Sequence, residues 1–204
     1  MKDWKGNKNS IFKCLGASNH TEKEREKNDF YATSPVALEK LMNESNGYQL
    51  PSVVYEPACG TGCLSEVLAK SGRKVYSYDI VDRGYGDGVR DFLYTKCLPD
   101  DCKCILTNPP YSMAMEFVLH SLKLLPENGI CAMFLKTTFL EGKRRFDKLF
   151  SVNPPRYIFQ FVQRVLCAKN GDFDGMIRGG GSAVSYAWFI WEKGYRGDPV
   201  VKWL

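Results

Sequence analysis

Between residues 52 and 136, short apolar runs alternate with amphipathic ones, and that alternation leaves few folds open. Residues 52–56 (SVVYE), 74–80 (KVYSYDI), 103–107 (KCILT) and 129–136 (GICAMFLK) have the length and composition of strands. Residues 62–71 (GCLSEVLAKS) and 113–125 (MAMEFVLHSLKLL) read as helices, and Gly72 ends the first of them. Strands joined through helices pair in parallel and bury both faces. Another short strand fits near 89–94, and two long aromatic ones fit 156–165 (RYIFQFVQRV) and 183–192 (AVSYAWFIWE). The last two are separated by a Gly-rich loop, residues 167–182, rather than a helix. A loop does not easily make a parallel crossover, so these two should pair antiparallel. The expectation is an α/β, doubly wound, mostly parallel seven-stranded sheet with a C-terminal antiparallel hairpin. Upstream, Pro35 opens a helix over 35–45, with Thr33 or Ser34 as N-cap and Val36, Leu38, Leu41 and Met42 as its buried stripe. Residues 141–150 (EGKRRFDKLF) read as a basic helix.

A chain of 204 residues suits one domain, or one domain plus an arm. Residues 1–27 are polar, with seven cations against four acidic residues, and that +3 is most of the whole-chain +5. They are expected to form a basic, flexible arm, with the folded domain spanning 28–204. No run approaches about 18 uninterrupted apolar residues, and the start, MKDWKGNKNS, has no apolar signal region. A membrane span and secretion are therefore not expected, and the cytoplasm is. The eight cysteines include no CxxC pair, and His20 and His120 stand at no recognised ligand spacing, so no metal is expected. Cys104 and Cys131 sit inside apolar strands, where reduced cysteine packs as a small hydrophobe.

The chemistry-bearing residues fall at strand ends. The first strand runs into Glu56-Pro57-Ala58-Cys59-Gly60-Thr61-Gly62. Glycines there let the backbone approach a ligand, and the following helix N-terminus favours an anion. A dinucleotide fingerprint would place Gly at position 65, where Ser65 stands. Glu56 four residues before Gly60 instead resembles the ExxxGxG motif of class I S-adenosylmethionine-dependent methyltransferases. That resemblance implies that Gly60 and Gly62 line the methionine part of the cofactor, and that Glu56 orders the turn or reaches the cofactor amine through water. Asp79 ends the second strand, where a carboxylate can accept both ribose hydroxyls; Asp82 competes for that role. Asp91 and Phe92 stand where the family holds adenine, with Asp87 as an alternative to Asp91.

Asn108-Pro109-Pro110-Tyr111 directly follows the fourth strand, at the sheet edge where open α/β folds bind ligands. An adenine exocyclic amine is a poor nucleophile because its lone pair is delocalised into the ring. Two acceptors aimed at its N–H bonds, the Asn108 side-chain oxygen and the Pro109 carbonyl, can localise that pair. The prolines fix the backbone, and Tyr111 offers a face on which an extruded base can stack, worth ~1–3 kcal/mol. Upstream, residues 28–35 (NDFYATSP) resemble the segment that closes over the cofactor in N6-adenine methyltransferases. That resemblance carries over Tyr31 and Thr33. With the stretch 179–195, it covers residues 28–195 and follows the gamma motif order of small phage-type enzymes. It implies transfer of methyl from S-adenosylmethionine to N6 of a flipped adenine in DNA.

Gamma-type enzymes usually append a large target-recognition domain, and none is expected here. Target contacts would come from the arm, from Lys143, Arg144, Arg145 and Lys148, and from the loop cations Arg164, Lys169 and Arg178. Such cations hold phosphates without reading sequence. The same tetrapeptide also serves N5-glutamine methyltransferases, and RNA is a further possible substrate. A degenerate fold that only binds nucleic acid or a partner is the non-enzymatic alternative.

Overall fold

The computed structural model describes residues 31–45, 47–169, 171, 173–178 and 184–204. The expected arm, residues 1–27, and the segment 28–30 lie outside them. The elements run β1 (Tyr31–Thr33), α1 (Pro35–Glu44), β2 (Val53–Glu56), α2 (Cys63–Lys70), β3 (Lys74–Asp79), β4 (Gly88–Val89), β5 (Cys104–Thr107), α3 (Ala114–Leu124) and β6 (Ile130–Lys136). They continue through β7 (Tyr157–Gln160), β8 (Cys167–Lys169), α4 (Phe173–Arg178), β9 (Tyr186–Glu192) and β10 (Val200–Trp203).

The main sheet has eight strands, ordered β10-β7-β9-β6-β5-β2-β3-β4. Among the described residues β9 alone runs antiparallel in it, between β6 and β7. The chain thus winds outward from β2 through β3 to β4, then returns to β5 beside β2 and winds the other way. β2 and β5 flank the point where the winding reverses, the usual place for a ligand crevice in such sheets.

Strand periodicity divides the core between the two sheet faces. Val54, Leu106, Phe134, Phe159 and Trp188 point to the face covered by α1 and α2. Tyr55, Ile105, Met133, Leu135, Phe189 and Trp191 point to the face covered by α3. Alternate residues of one strand therefore serve opposite cores, and this is why these strands read as continuous apolar runs. Cys104 and Cys131 are fully buried in the sheet, as their apolar neighbours implied. The two buried indoles reach backbone carbonyls, Trp188 Nε1 donating to Ala37 O at 2.8 Å and Trp191 Nε1 to Asn153 O at 3.0 Å. No helix among the described residues is long and apolar enough to cross a membrane.

Several elements depart from the sequence reading. The sheet has eight strands rather than seven, because β10 pairs in parallel with β7 at the edge. The strand expected near 89–94 stops at Val89: the Asp91 carboxylate accepts from Leu93 N at 3.0 Å and caps a 3-10 turn, Phe92–Tyr94. The run 156–165 keeps strand geometry only over Tyr157–Gln160. The loop 167–182 contains β8 and α4, and β8 pairs antiparallel with β1 as a separate ribbon. The basic helix 141–150 is a short α turn, Lys143–Arg145, followed by a π-helical turn, Phe146–Phe150. On α1, Val36 is exposed and Ala37 is buried in its place, where its carbonyl receives the Trp188 indole.

Candidate active site

A cavity of about 380 Å³ opens at the carboxyl ends of β2, β3 and β5, within the usual range for small-molecule sites (about 300–1,000 Å³). Its wall combines the turn after β2 (Glu56, Pro57, Ala58, Gly60), the end of β3 (Asp79, Ile80), Asp91 and Phe92, and Asn108 after β5. β1 closes one side with Tyr31 and Thr33. Segments distant in the chain therefore meet in one pocket, and most of the residues singled out from the sequence line it.

The glycine turn is held from below. Gly60 takes a positive φ of 57° and donates its N–H to Asp79 Oδ2 at 2.8 Å. Asp79 Oδ1 accepts from Val81 N at 3.0 Å, so one carboxylate ties the turn after β2 to the end of β3. Asp82 instead accepts from Gly84 N, Asp87 accepts from Ser77 N, and neither lines the cavity. Of these aspartates, Asp79 and Asp91 are in the wall, together with Glu56. Phe92 is buried there against Phe117 and His120, ring centroids 5.0 and 4.9 Å away.

Gly62 does not line the cavity, contrary to expectation. It N-caps α2 at φ 89°, and a Cβ there would meet the Tyr85 ring at 2.5 Å. Its lack of a side chain serves the packing of Tyr85.

Glu56 is 1% exposed, and its carboxylate receives the Ser65 hydroxyl. Ser65 Oγ lies 2.6 Å from Ser77 Oγ, so a chain of hydroxyls crosses from α2 to β3. Position 65, where the dinucleotide fingerprint has Gly, is thus the hydroxyl partner of the buried acid. Burial pushes the Glu56 carboxyl up to about 8, with the negative Asp79 adding to the rise and Ser65 opposing it. The folded protein then holds this proton between the ordinary carboxylate range and pH 8, while the unfolded chain releases it. The associated stability is fully present below the ordinary range and is lost as pH rises through about 8. Glu56→Gln should remove that loss. Between pH 5 and 8.5 the variant should gain about 2–4 kcal/mol relative to wild type in urea unfolding. A difference independent of pH would show that Glu56 ionises normally in the folded state.

The Asn108 carboxamide is fixed by two partners. Its Nδ2 donates to Tyr31 O at 2.9 Å and to Cys167 Sγ at 3.5 Å. Its Oδ1 is buried and has no hydrogen-bond partner among the described residues. Pro110 lines the cavity, whereas Pro109 is buried outside it.

Tyr111 departs from the open stacking face expected of it. It is half-buried and does not line the cavity. Its ring lies between Tyr31 and Tyr186, with centroids at 6.1 and 6.0 Å. Lys136 Nζ stands 4.6 Å from its centroid, and its hydroxyl lies 3.1 Å from Cys167 Sγ. Burial pushes its phenol well above the ordinary range, so it stays neutral.

The basic cluster is partly committed elsewhere. Arg145 is engaged within its own chain, donating to Phe139 O at 2.8 Å and also to Glu141 O. Lys143 pairs with Asp147 at 2.8 Å and Arg144 with Glu116 at 3.2 Å, exposed pairs of small energetic weight. Lys148, Arg164 and Arg178 are exposed, and the Lys169 side chain lies outside the description. Among the described residues no group of three His, Cys, Asp or Glu could hold a metal ion.

Cys167, Tyr186, Lys136 and Tyr85 all border the site, and sequence reasoning singled out none of them. Cys167 and Tyr186 reach it only through the ribbon and the antiparallel strand. Lys136 carried the one available signal, as a cation ending a buried strand next to the tetrapeptide strand.

No protein-family model matches the sequence, and no curated protein matches it. Solved structures do share its backbone. A protein of Listeria monocytogenes described as a class I S-adenosylmethionine-dependent methyltransferase superposes with a TM-score of 0.58 at 12% identity, over 96% of this chain and 71% of that one. A protein of Pyrococcus horikoshii described as an RNA methyltransferase gives 0.55 at 15% identity, over 90% and 98%. A modification subunit described as belonging to a type I restriction enzyme of Vibrio vulnificus YJ016 gives 0.52 at 16%, over 96% of this chain and 50% of that one. The chain therefore has the Rossmann-like methyltransferase fold.

Proposed function

We propose that this protein transfers a methyl group from S-adenosylmethionine to the exocyclic N6 amine of adenine in DNA. One observation carries the reading: both hydrogens of the Asn108 carboxamide point to protein acceptors, and Oδ1 is left as an unpaired acceptor in a cavity-lining residue. A buried acceptor without a partner is costly, by about 1–3 kcal/mol, unless a ligand donor satisfies it. An amine with a delocalised lone pair is the substrate that gains most from such an acceptor.

S-adenosylmethionine, when bound, supplies a methyl group already activated on a sulfonium. The chain's own task is to hold that donor and orient the nitrogen. In this reading Tyr31, Thr33, Glu56, Pro57, Ala58 and Gly60 hold the methionine end, Asp79 the ribose, and Asp91 with Phe92 the adenine. Gly62 contributes through the shape of the turn. Asn108 Oδ1 accepts from the substrate amine, and Tyr111 braces the tetrapeptide; Pro109, buried outside the cavity, would reach the amine only by a shift of the backbone on binding. In this reading Lys148, Arg164, Lys169 and Arg178 would hold backbone phosphates, with Lys143 and Arg144 exchanging their surface partners for them. The neighbours described as a restriction-modification subunit and an RNA methyltransferase support a nucleic-acid substrate.

The test is calorimetric titration with S-adenosylmethionine, followed by incubation with the methyl-labelled cofactor and DNA, RNA or whole-cell protein. Digestion of the labelled DNA should release N6-methyldeoxyadenosine. Label in RNA bases or in glutamine would replace the DNA substrate, and failure to bind the cofactor would remove the enzymatic reading altogether.

A further inference from the structure

Asn108 is held from a part of the chain 59 residues further on, by a single sulfur. Cys167 Sγ accepts from Asn108 Nδ2 at 3.5 Å and lies 3.1 Å from the Tyr111 hydroxyl. It also donates to Tyr31 O at 3.8 Å, the same carbonyl that takes the other Asn108 hydrogen at 2.9 Å. The thiol therefore touches both polar side chains of the tetrapeptide and the β1 strand at once. It is 2% exposed, and burial raises its pKa, so it remains a protonated thiol rather than a charge.

A second feature of the same wall points to a ligand. Thr33 stands opposite Cys167 in the β1–β8 register, is 3% exposed and lines the cavity. Its hydroxyl is one of the side-chain groups that hold the Cys167 thiol. Asn108 Oδ1, buried in the same wall, has no hydrogen-bond partner among the described residues and calls for a donor brought by whatever binds there.

We propose that Cys167 is a positioning residue for Asn108: with the Tyr31 carbonyl it consumes both carboxamide hydrogens, so that only Oδ1 remains for the substrate amine. Without the sulfur, one amide hydrogen loses its acceptor. The amide is then held by the Tyr31 carbonyl alone and can rock about that one bond, so that Oδ1 no longer points steadily at the substrate amine. Serine keeps a donor and an acceptor at the position on a shorter arm, whereas alanine keeps neither.

This inference rests on the methyl-transfer reading, and two measurements separate their failures. The first uses the full chain with labelled cofactor and adenine-containing DNA. Cys167→Ala should lower kcat about ten- to a hundredfold, with KM for DNA and cofactor Kd within about twofold of wild type. Cys167→Ser should recover kcat to within about fivefold. The second needs no turnover: the Asn108 side-chain amide is observed by 15N NMR, assigned by its absence in Asn108→Ala. Its hydrogens should exchange with solvent at least about tenfold faster in Cys167→Ala than in wild type, and about two- to fivefold faster in Cys167→Ser, whose shorter arm holds the amide less well. Should the alanine variant not fold, exchange in the serine variant decides. Wild-type kcat in Cys167→Ala, or amide exchange indifferent to position 167, would overturn the proposal. Absence of transfer by the wild-type protein would overturn the functional reading instead, with the exchange result still deciding the clamp.

Discussion

Asn108→Ala should lower methyl transfer about a hundred- to a thousandfold while leaving cofactor affinity within a few-fold of wild type. The asymmetry follows from where the side chain is held. Its Nδ2 is tied to Tyr31 and Cys167, away from the glycine turn, so its removal leaves Gly60 and Asp79 in place. Loss of two hydrogen bonds should cost about 1–2 kcal/mol of stability, small enough for the fold to survive. Asn108→Asp is the sharper variant, because it keeps the shape but sets a carboxylate oxygen against the Tyr31 carbonyl. It should be as inactive as alanine and less stable. Single-turnover transfer to DNA beside calorimetric cofactor binding measures both effects. An alanine variant that still methylates at the wild-type rate would mean that another group steers the amine.

Asp79→Ala should act on the other side of the cavity. Both carboxylate oxygens accept backbone N–H groups, from Gly60 and Val81, and the residue is 8% exposed. Alanine strands both donors, at about 1–2 kcal/mol each, and releases the turn from the end of β3. Unfolding by urea should show a loss of about 2–4 kcal/mol. Under the proposed reading cofactor affinity should fall about a hundredfold, because the turn geometry and the assigned ribose acceptor disappear together. If stability falls and affinity does not, Asp79 only ties the turn. If affinity alone falls, the backbone finds other acceptors.

The part of this site that was legible in the sequence lies where a strand delivers its own continuation. Glu56 to Gly60 and Asn108 follow β2 and β5 directly, so correct strand placement brings them to one edge. Asp79 ends β3 in the same way, and the cavity wall contains it and not Asp82. The doubly wound sheet and the antiparallel aromatic pair came from the same alternation. What stayed hidden depends on contacts between distant segments. β1 and β8 have three residues each, too few for a period, and exist only because each offers the other an edge. Gly62 looked like a ligand glycine because nothing local announces that Tyr85 lies across it. Tyr111 looked exposed because its neighbours Tyr186 and Lys136 arrive on other strands. Arg145 looked like part of a charged face, but nearby carbonyls of its own chain capture it.

The β1–β8 ribbon makes two tasks inseparable on one strand and separable on the other. Tyr31 contributes its side to the pocket wall and its carbonyl to the Asn108 amide, so drift in β1 moves the pocket wall and that amide together. Cys167 does not line the pocket and reaches it only through the Asn108 amide, the Tyr111 hydroxyl and the Tyr31 carbonyl. Under the proposed reading, substitutions along β8 would retune turnover more than what the pocket accepts, and selection working on rate would have its freest hand there.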